Sequence, residues 1–326
     1  MRVAVIGATG HIGTYLIPRL VDAGHDVVAV SRGVRKPYHD SVAWQSIRHE
    51  IIDREAAEAD GSFGNTIASF APDAVVDLIC FDVASATQLV DALRGRVKHL
   101  LHCGTLWVHG IPSSRPYDET TARRPFGQYG VMKEQVERYL LRAARDGFPV
   151  SVLHPGHITG PGWAPVNPAG NLDTAIFERL AQGATVMLPD SGLATLQHVH
   201  ADDVALAFEL AIAQPDAAIG EAFHVAAREP VTMREYAGAV ASWFGRDATL
   251  GFLPWEQWRM TVTERAAAIT HDHMLHSPHA SIARAQSRLG FVPRFTALAA
   301  VRDALTEVLD GSGRNLTREP QAFRNG

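Results

Sequence analysis

Short runs of β-branched and other apolar residues alternate with amphipathic stretches through the first half of the chain. Runs at 2–6, 26–31, 74–78, 99–102 and 150–154 read as strands, and stretches at 12–23, 66–70, 83–93 and 130–146 read as helices. Apolar runs of that length separated by helical stretches predict a parallel sheet covered by helices on both faces. Gly24 follows 12–23 in the place of a left-handed C-cap, and Pro18 within that stretch is expected to bend the helix. After His154 the pattern breaks into HPGHITGPGWAPVNPAGN, too rich in Gly and Pro for any regular element and expected to be a loop that lines something. Helical periodicity returns at 172–182, 201–212, 232–244 and 297–309, with strand-like runs at 185–188, 222–226 and 249–253. Thr232 and Glu235 have the spacing of a capping box. The closing GSGRNLTREPQAFRNG has no periodicity and is expected to be a loosely held tail.

Composition narrows the class. The 326 residues are 46% hydrophobic and 20% charged, which suits a globular protein with an ample core. A formal net charge of -5 gives no electrostatic case for nucleic acid, and the absence of a basic run gives none for an anionic membrane. No run approaches the roughly 18 apolar residues of a membrane span, and with a first strand expected from residue 2 no leader is expected. Cys80 and Cys103 are far apart and form no CxxC pair, so neither a disulfide framework nor a zinc site is expected. The expected location is the cytoplasm.

The first strand runs into three glycines, Gly7, Gly10 and Gly13, in MRVAVIGATGHIG, and a helical pattern follows from His11. Strand, tight turn and helix N-terminus in that order suit a pyrophosphate, because the helix start offers unpaired N–H groups and the positive end of its dipole. The spacing is Gly-x-x-Gly-x-x-Gly rather than the commoner Gly-x-Gly-x-x-Gly, so the dinucleotide fingerprint is met in mechanism and not in letter. Thr9, His11 and Ile12 complete the expected cofactor cradle. The second strand ends in VVAVSRG, placing Ser31 and Arg32 where an acidic residue would select a free ribose 2′-hydroxyl. Arginine there, with Arg35 and Lys36 close behind, favours NADP over NAD. The expected fold class is therefore α/β, a Rossmann-type doubly wound parallel sheet with a smaller C-terminal substrate-binding subdomain. Residues 1–160 are expected to form the nucleotide-binding domain, 161–310 the substrate-binding subdomain and 311–326 a flexible tail, with 222–226 a candidate to return to the first sheet.

Tyr129 and Lys133, in QYGVMKEQVERYL, are four residues apart and so share one face of a helix. A nearby ammonium stabilises phenolate, which would let Tyr129 act as acid and base near neutral pH. With the glycine turn and the run VKHLLHCGTLWVHG, the chain resembles an extended short-chain dehydrogenase/reductase of the NAD(P)-dependent epimerase/dehydratase type, over nearly all of residues 1–310. The family's catalytic Tyr and Lys match Tyr129 and Lys133. Its Ser/Thr precedes a run usually ending Val-Tyr-Gly, here Val108-His109-Gly110, which puts Thr105 in the catalytic place. The resemblance also implies that Asp53 contacts the adenine and that Pro155 and Gly156 line the nicotinamide. VHADDVALAF, from Val199, resembles a further family landmark. It implies a mechanism in which Thr105 hydrogen-bonds the substrate oxygen, Tyr129 exchanges its proton, and Lys133 holds the nicotinamide ribose and lowers the Tyr129 pKa. Relatives often dimerise through the helices matching 83–93 and 130–146, so a homodimer is expected.

The departures bear on the substrate. Sugar-nucleotide 4,6-dehydratases carry Asp-Glu after the catalytic Thr, where this chain has Leu106-Trp107. Many sugar-nucleotide epimerases bind the diphosphate with an Arg where this chain has Leu196, and their Arg-Pro-x-Asn run is His154-Pro155-Gly156-His157. A buried diphosphate without cationic or amide partners is costly. The expected substrate is a smaller or less charged hydroxyl or carbonyl compound, with Trp107, His157 and Trp163 as pocket walls. The crowded imidazoles of HDHMLHSPH (His271, His273, His276, His279) are expected to form a polar loop near the cleft, and no metal is expected. Cys103 reads as a buried strand residue, and Cys80, Phe81 and Asp82 replace the small residues relatives present to the cofactor. The leading expectation is an NAD(P)-dependent oxidoreductase acting at a secondary alcohol or ketone. The rivals are a sugar or sugar-nucleotide epimerase and a non-enzymatic, nucleotide-bound regulatory or RNA-associated protein.

Overall fold

The computed structural model describes residues 1–310, so the expected tail at 311–326 lies outside the described residues. The first half runs β1 (Arg2–Ile6), α1 (His11–Asp22), β2 (Asp26–Ser31), β3 (Arg48–Ile51), α2 (Arg54–Ala59), α3 (Phe63–Ser69), β4 (Ala74–Asp77), α4 (Val83–Leu93), β5 (His99–Cys103), α5 (Gly127–Arg145) and β6 (Val150–Pro155). The second half begins β7 (His157–Thr159), α6 (Ala175–Gln182), β8 (Val186–Pro189), β9 (Thr195–Leu196), β10 (His198–His200), α7 (Ala201–Ala213), α8 (Pro215–Ala218) and β11 (Ala222–Val225). It ends with β12 (Val231–Thr232), α9 (Met233–Trp243), β13 (Leu250–Leu253), α10 (Trp255–Trp258), α11 (Glu264–His276), α12 (Ala283–Leu289) and α13 (Ala297–Asp310).

Seven parallel strands make the main sheet in the order β11-β6-β5-β4-β1-β2-β3. Apolar runs such as VAVI and VVAV are buried on both faces, the reason they read as continuous rather than alternating. One face is covered by α1, α7 and α12 through Leu16, Leu20, Val204 and Phe208, and the other by α3, α4 and α5 through Phe63, Leu89, Val136 and Leu140. A third apolar cluster, with Phe177, Leu180, Tyr236 and Trp258, lies in the second half of the chain. β11 comes from that second half and extends the sheet beyond β6, pairing His224 with His154 and Val225 with Pro155. Strand order reverses at β1, between β2 and β4, and the crevice at the strands' C-terminal ends is where such sheets bind ligands.

Several elements escape the sequence pattern. β3 is a polar edge strand, RHEI, with no apolar alternation, and α2 is too short for a periodic signal, although Asp53 caps it by accepting the Ala56 N–H. The Gly/Pro loop is not wholly irregular, because β7 lies within it and pairs with β10 further along the chain. The expected helix at 172–182 starts later, at Ala175: Asn171 and Asp173 spend their side-chain oxygens on loop backbone N–H groups. Helix α1 runs through Pro18 to Asp22, although proline deprives the Thr14 carbonyl of its helical donor. The largest correction concerns the histidine run: His271, His273 and His276 lie on helix α11 rather than in a loop. Thr263 caps that helix through the Ala266 N–H, and its Ala-rich start carries it past the imidazoles. No described helix is long and apolar enough to cross a membrane.

Candidate active site

The glycine turn links β1 to α1. Gly7 has φ +86°, and the Gly7 and Ala8 N–H groups donate to the Val30 carbonyl at 3.0 and 3.1 Å. A Cβ on Gly13 would stand 2.1 Å from the Ala8 carbonyl oxygen, so the close seating of α1 on the strand end requires glycine. Beside this turn lies a cavity of about 460 Å³ reaching from Gly7, Gly10 and Ile12 to Tyr129, Lys133 and Gly156. It continues at the far side of the turn into a cavity of about 210 Å³ lined by Thr9, Ser31, Arg32 and Arg35. Neither arginine forms an ion pair among the described residues. Asp53 lines neither cavity; its carboxylate is engaged at the start of α2.

Thr105 follows β5 in an extended conformation, and its hydroxyl accepts the Trp107 N–H at 3.3 Å. Tyr129, in the first turn of α5, shares a hydrogen bond with that hydroxyl. The residue lines the cleft and is 44% exposed, while its hydroxyl meets Thr105. Burial of that hydroxyl, with the neighbouring Cys103, pushes the phenol up to about 12, against a smaller opposing effect of Thr105. Lys133 is not what sets it. The buried ammonium donates to the Cys80 and Cys103 carbonyls, both at 2.8 Å, and sits 4.6 Å from the Phe81 ring centre. Burial pulls this ammonium below the usual lysine range. The two cysteines are buried and free, and burial raises their thiols to about 12 and 11, which leaves them inert as nucleophiles.

Behind Thr105 runs a buried polar chain that the sequence did not single out. The Thr105 N–H donates to His154 Nδ1 at 2.9 Å, and His154 Nε2 lies 3.0 Å from Glu137 Oε1. Glu137 receives Arg123 in a fork, Nη2 to Oε1 at 2.6 Å and Nε to Oε2 at 3.2 Å. Burial alone would raise the Glu137 carboxyl, but His154 and Arg123 outweigh it and hold the group well below the usual carboxylate range. Gly104 makes room for the imidazole, since a Cβ there would stand 2.3 Å from His154 Nδ1. The signal available in the sequence was Glu137 itself, one helical turn beyond Lys133 on the face that carries Tyr129.

A further cavity of about 240 Å³ opens from Thr105 and Tyr129 and is walled by Trp107, His157, Trp163 and Val166. The three pocket residues expected from the sequence thus come together. No Asp, Glu, Lys or Arg lines this cavity. Trp107 stacks on His276 of α11 at 4.1 Å and meets Tyr129 edge-on at 5.8 Å. His157 packs against His198 and His273, and burial holds all these imidazoles below their usual range, His198 and His276 at about 4. They are therefore neutral near pH 7. His273 and His276, three apart on one helix face, were within reach of a helical reading of that run. Trp163 lines the large cavity as well as this one, and lies flat on His11 with ring centres 4.7 Å apart. Among the described residues no His, Cys, Asp or Glu group is arranged to hold a metal ion.

A family model described as the NAD dependent epimerase/dehydratase family matches residues 3–226. The chain is 31% identical over 247 residues to 2'-dehydrokanamycin reductase of Streptomyces kanamyceticus, an alignment covering 76% of this chain and 67% of that protein. It is 29% identical over 269 residues to UDP-glucose 4-epimerase of Mycolicibacterium smegmatis, covering 75% and 83%. The structure of UDP-glucose 4-epimerase from Thermotoga maritima with UDP-glucose aligns with a TM-score of 0.71 at 19% identity, covering 96% of this chain and 100% of that one, which shows a shared fold.

Proposed function

The chain belongs to the NAD-dependent epimerase/dehydratase family and is an NAD(P)-dependent oxidoreductase of the extended short-chain dehydrogenase/reductase type; from that premise we propose that it is an NADP-preferring oxidoreductase that interconverts an uncharged ketone and its secondary alcohol, with reduction of the ketone as the favoured direction. The observation that carries the proposal is the 240 Å³ cavity against the Thr105–Tyr129 pair, whose lining has aromatic and neutral imidazole groups and no charged side chain. A nucleoside diphosphate buried there would find no cation to pair with. Similarity to a protein named as a reductase of a dehydro compound supports net reduction over epimerisation.

The residues fit the cofactor: Gly7 and Gly10 line both cavities beside the turn, and a Cβ at Gly7 would stand 2.8 Å from the Ile79 side chain that lines them too. Gly7, Thr9, Gly10, His11, Ile12 and Gly13 would hold the diphosphate end with the N-terminus of α1. Ser31 with Arg32 and Arg35 would hold the phosphorylated ribose, and Asp53 the adenine. Pro155, Gly156 and Lys133 would flank the nicotinamide. When bound, that ring supplies a hydride to a carbonyl carbon or takes one from a carbinol. Tyr129 then gives its phenolic proton to the oxygen in reduction, or takes one in oxidation, while the Thr105 hydroxyl fixes that oxygen. Trp107, His157 and Trp163 exclude water and set the shape of the pocket.

A cytoplasmic setting, consistent with two buried free thiols, and a homodimer through the packed helices α4 and α5 belong to the same proposal. The test is turnover of a panel of neutral ketones and polyols with NADPH and NADH. Net NADPH consumption supports the reading. Inversion of a sugar carbon without net cofactor consumption would replace it with an epimerase, and a homogeneous monomer by solution mass removes the dimer.

A further inference from the structure

We infer that His154 is a positioning residue of the oxidoreductase site: it holds the backbone of Thr105 in place, and Glu137 with Arg123 keeps its imidazole in the one tautomer that can do so. The inference rests on the assignment of Thr105 to the reaction and goes beyond it, because His154 touches neither substrate nor cofactor space in either cavity beside Thr105.

An imidazole can accept the Thr105 N–H through Nδ1 when that nitrogen carries no proton. The 2.9 Å contact therefore places the ring proton on Nε2, and Nε2 points at the Glu137 carboxylate 3.0 Å away. A carboxylate is an acceptor, so it selects the Nε2–H form. Arg123, forked onto both Glu137 oxygens, keeps the carboxylate charged in a buried setting, with His154 fully buried and Glu137 2% exposed. Each link has its polarity dictated by the next: guanidinium to carboxylate, carboxylate to Nε2–H, Nδ1 to the Thr105 N–H.

Two neighbouring contacts make the same segment rigid. Lys133 Nζ holds the Cys103 carbonyl at 2.8 Å, and the Thr105 hydroxyl meets Tyr129. Tyr129, Lys133 and Glu137 all ride on α5, so one helix grips residues 103–105 through three links, two direct and one through His154. Loss of the His154 link leaves a buried N–H unsatisfied and frees the strand end that carries the Thr105 hydroxyl. Misplacement of a reacting group by a fraction of its hydrogen-bond length falls on kcat rather than on cofactor binding.

Two substitutions separate the two ring nitrogens. Asn at 154 offers its side-chain oxygen near the place of Nδ1, whereas Gln reaches the place of Nε2 and leaves the Thr105 N–H without its acceptor. The expected result is that His154→Gln lowers kcat by about tenfold to a hundredfold with the KM for NADPH unchanged, and His154→Asn rescues most of it. Amide hydrogen exchange at Thr105 should be fast in the Gln variant and slow in the Asn variant and wild type, with thermal melts confirming that all three fold. In a Thr105→Ala background, His154→Gln should lower kcat no further. Equal kcat losses, or equal Thr105 exchange in the two variants, overturn the inference. If wild-type protein binds NADPH and reduces no carbonyl compound, the functional reading fails, and Thr105 exchange still decides the positioning role.

Discussion

Glu137 stands two turns beyond Tyr129 on the same face of α5, and both engage the residue that follows β5: Tyr129 meets the Thr105 hydroxyl, and Glu137 reaches the Thr105 backbone through His154. Lys133, between them, holds the carbonyl of Cys103. A single helix thus carries Tyr129, the proposed proton donor, and holds Thr105, proposed to orient the substrate oxygen, so a small displacement of α5 moves both together.

Removal of the phenol tests the proton-transfer role. Tyr129→Phe keeps the ring that meets Trp107 edge-on and removes the oxygen. Carbonyl reduction should fall by about a hundredfold to ten-thousandfold while NADPH affinity stays within about twofold. Single-turnover rates and a cofactor-fluorescence titration check both, and unchanged turnover would remove Tyr129 from the reaction.

The direction of catalysis should decide its pH dependence. With its phenol pushed up to about 12, Tyr129 is protonated at neutral pH and is ready as a donor. Reduction should therefore be flat across neutral pH, whereas alcohol oxidation, which needs phenolate, should rise by up to about tenfold per pH unit below that value. Parallel pH profiles of kcat in the two directions would contradict this assignment.

Arg32 and Arg35 face the crevice at the far side of the glycine turn and have no carboxylate partner among the described residues. Arg32→Ala and Arg35→Ala together should raise the KM for NADPH by about tenfold or more and leave that for NADH nearly unchanged, since one or two charge-assisted hydrogen bonds to a phosphate are lost. Equal changes for the two cofactors would place the 2′-phosphate elsewhere.

Acid should unfold the protein through its buried imidazoles. His11, His99, His198 and His276 have folded values of about 4 and His109 about 3, against 6.5 for the free group, each lowered first of all by burial. Between those limits the unfolded chain binds protons that the folded one refuses, so stability is complete above 6.5 and falls as pH drops toward 4. Each group contributes on the order of a few kcal/mol to this loss, His109 the most. Urea melts at a series of pH values should show a steep decline across that window, shallower in His198→Asn; a flat profile would mean that these rings are hydrated.

Gly104 is the position where a single methyl group should expel His154 from its place. Gly104→Ala puts a Cβ within 2.3 Å of Nδ1 and 3.0 Å of a Val152 methyl group. The expected cost is about 1–3 kcal/mol of stability, with a kcat loss resembling that of His154→Gln. Thermal melts and steady-state rates check it.

The parts legible in the sequence share a local cause. The β1–α1 turn, the Tyr129/Lys133 spacing and the apolar strands each depend on residues a few positions apart, where periodicity and glycine placement speak directly. The edge strand β3 was hidden because half-exposed polar residues carry no alternation. His154 was hidden for another reason: its partners Thr105, Glu137 and Arg123 come from separate parts of the chain and meet where β6 lies against β5 and α5. The histidine run of α11 misled by composition, since its imidazoles bond to the helix's own backbone, His273 Nδ1 at the Ile269 carbonyl and His276 Nδ1 at the Asp272 carbonyl. The spacing of Tyr129 and Lys133 likewise gave no sign that the Lys133 ammonium donates to two backbone carbonyls from distant parts of the chain.

Because β11 flanks β6 and reaches the sheet from beyond residue 220, the strand that carries His154 has no neighbour on that side until residues 222–225 have been made. A nascent chain halted before that point would present β6 as an open edge, with unpaired backbone groups able to recruit another copy. Docking of β11 covers β6 and passes the sheet edge to a strand of only four residues, and short edge strands recruit copies poorly.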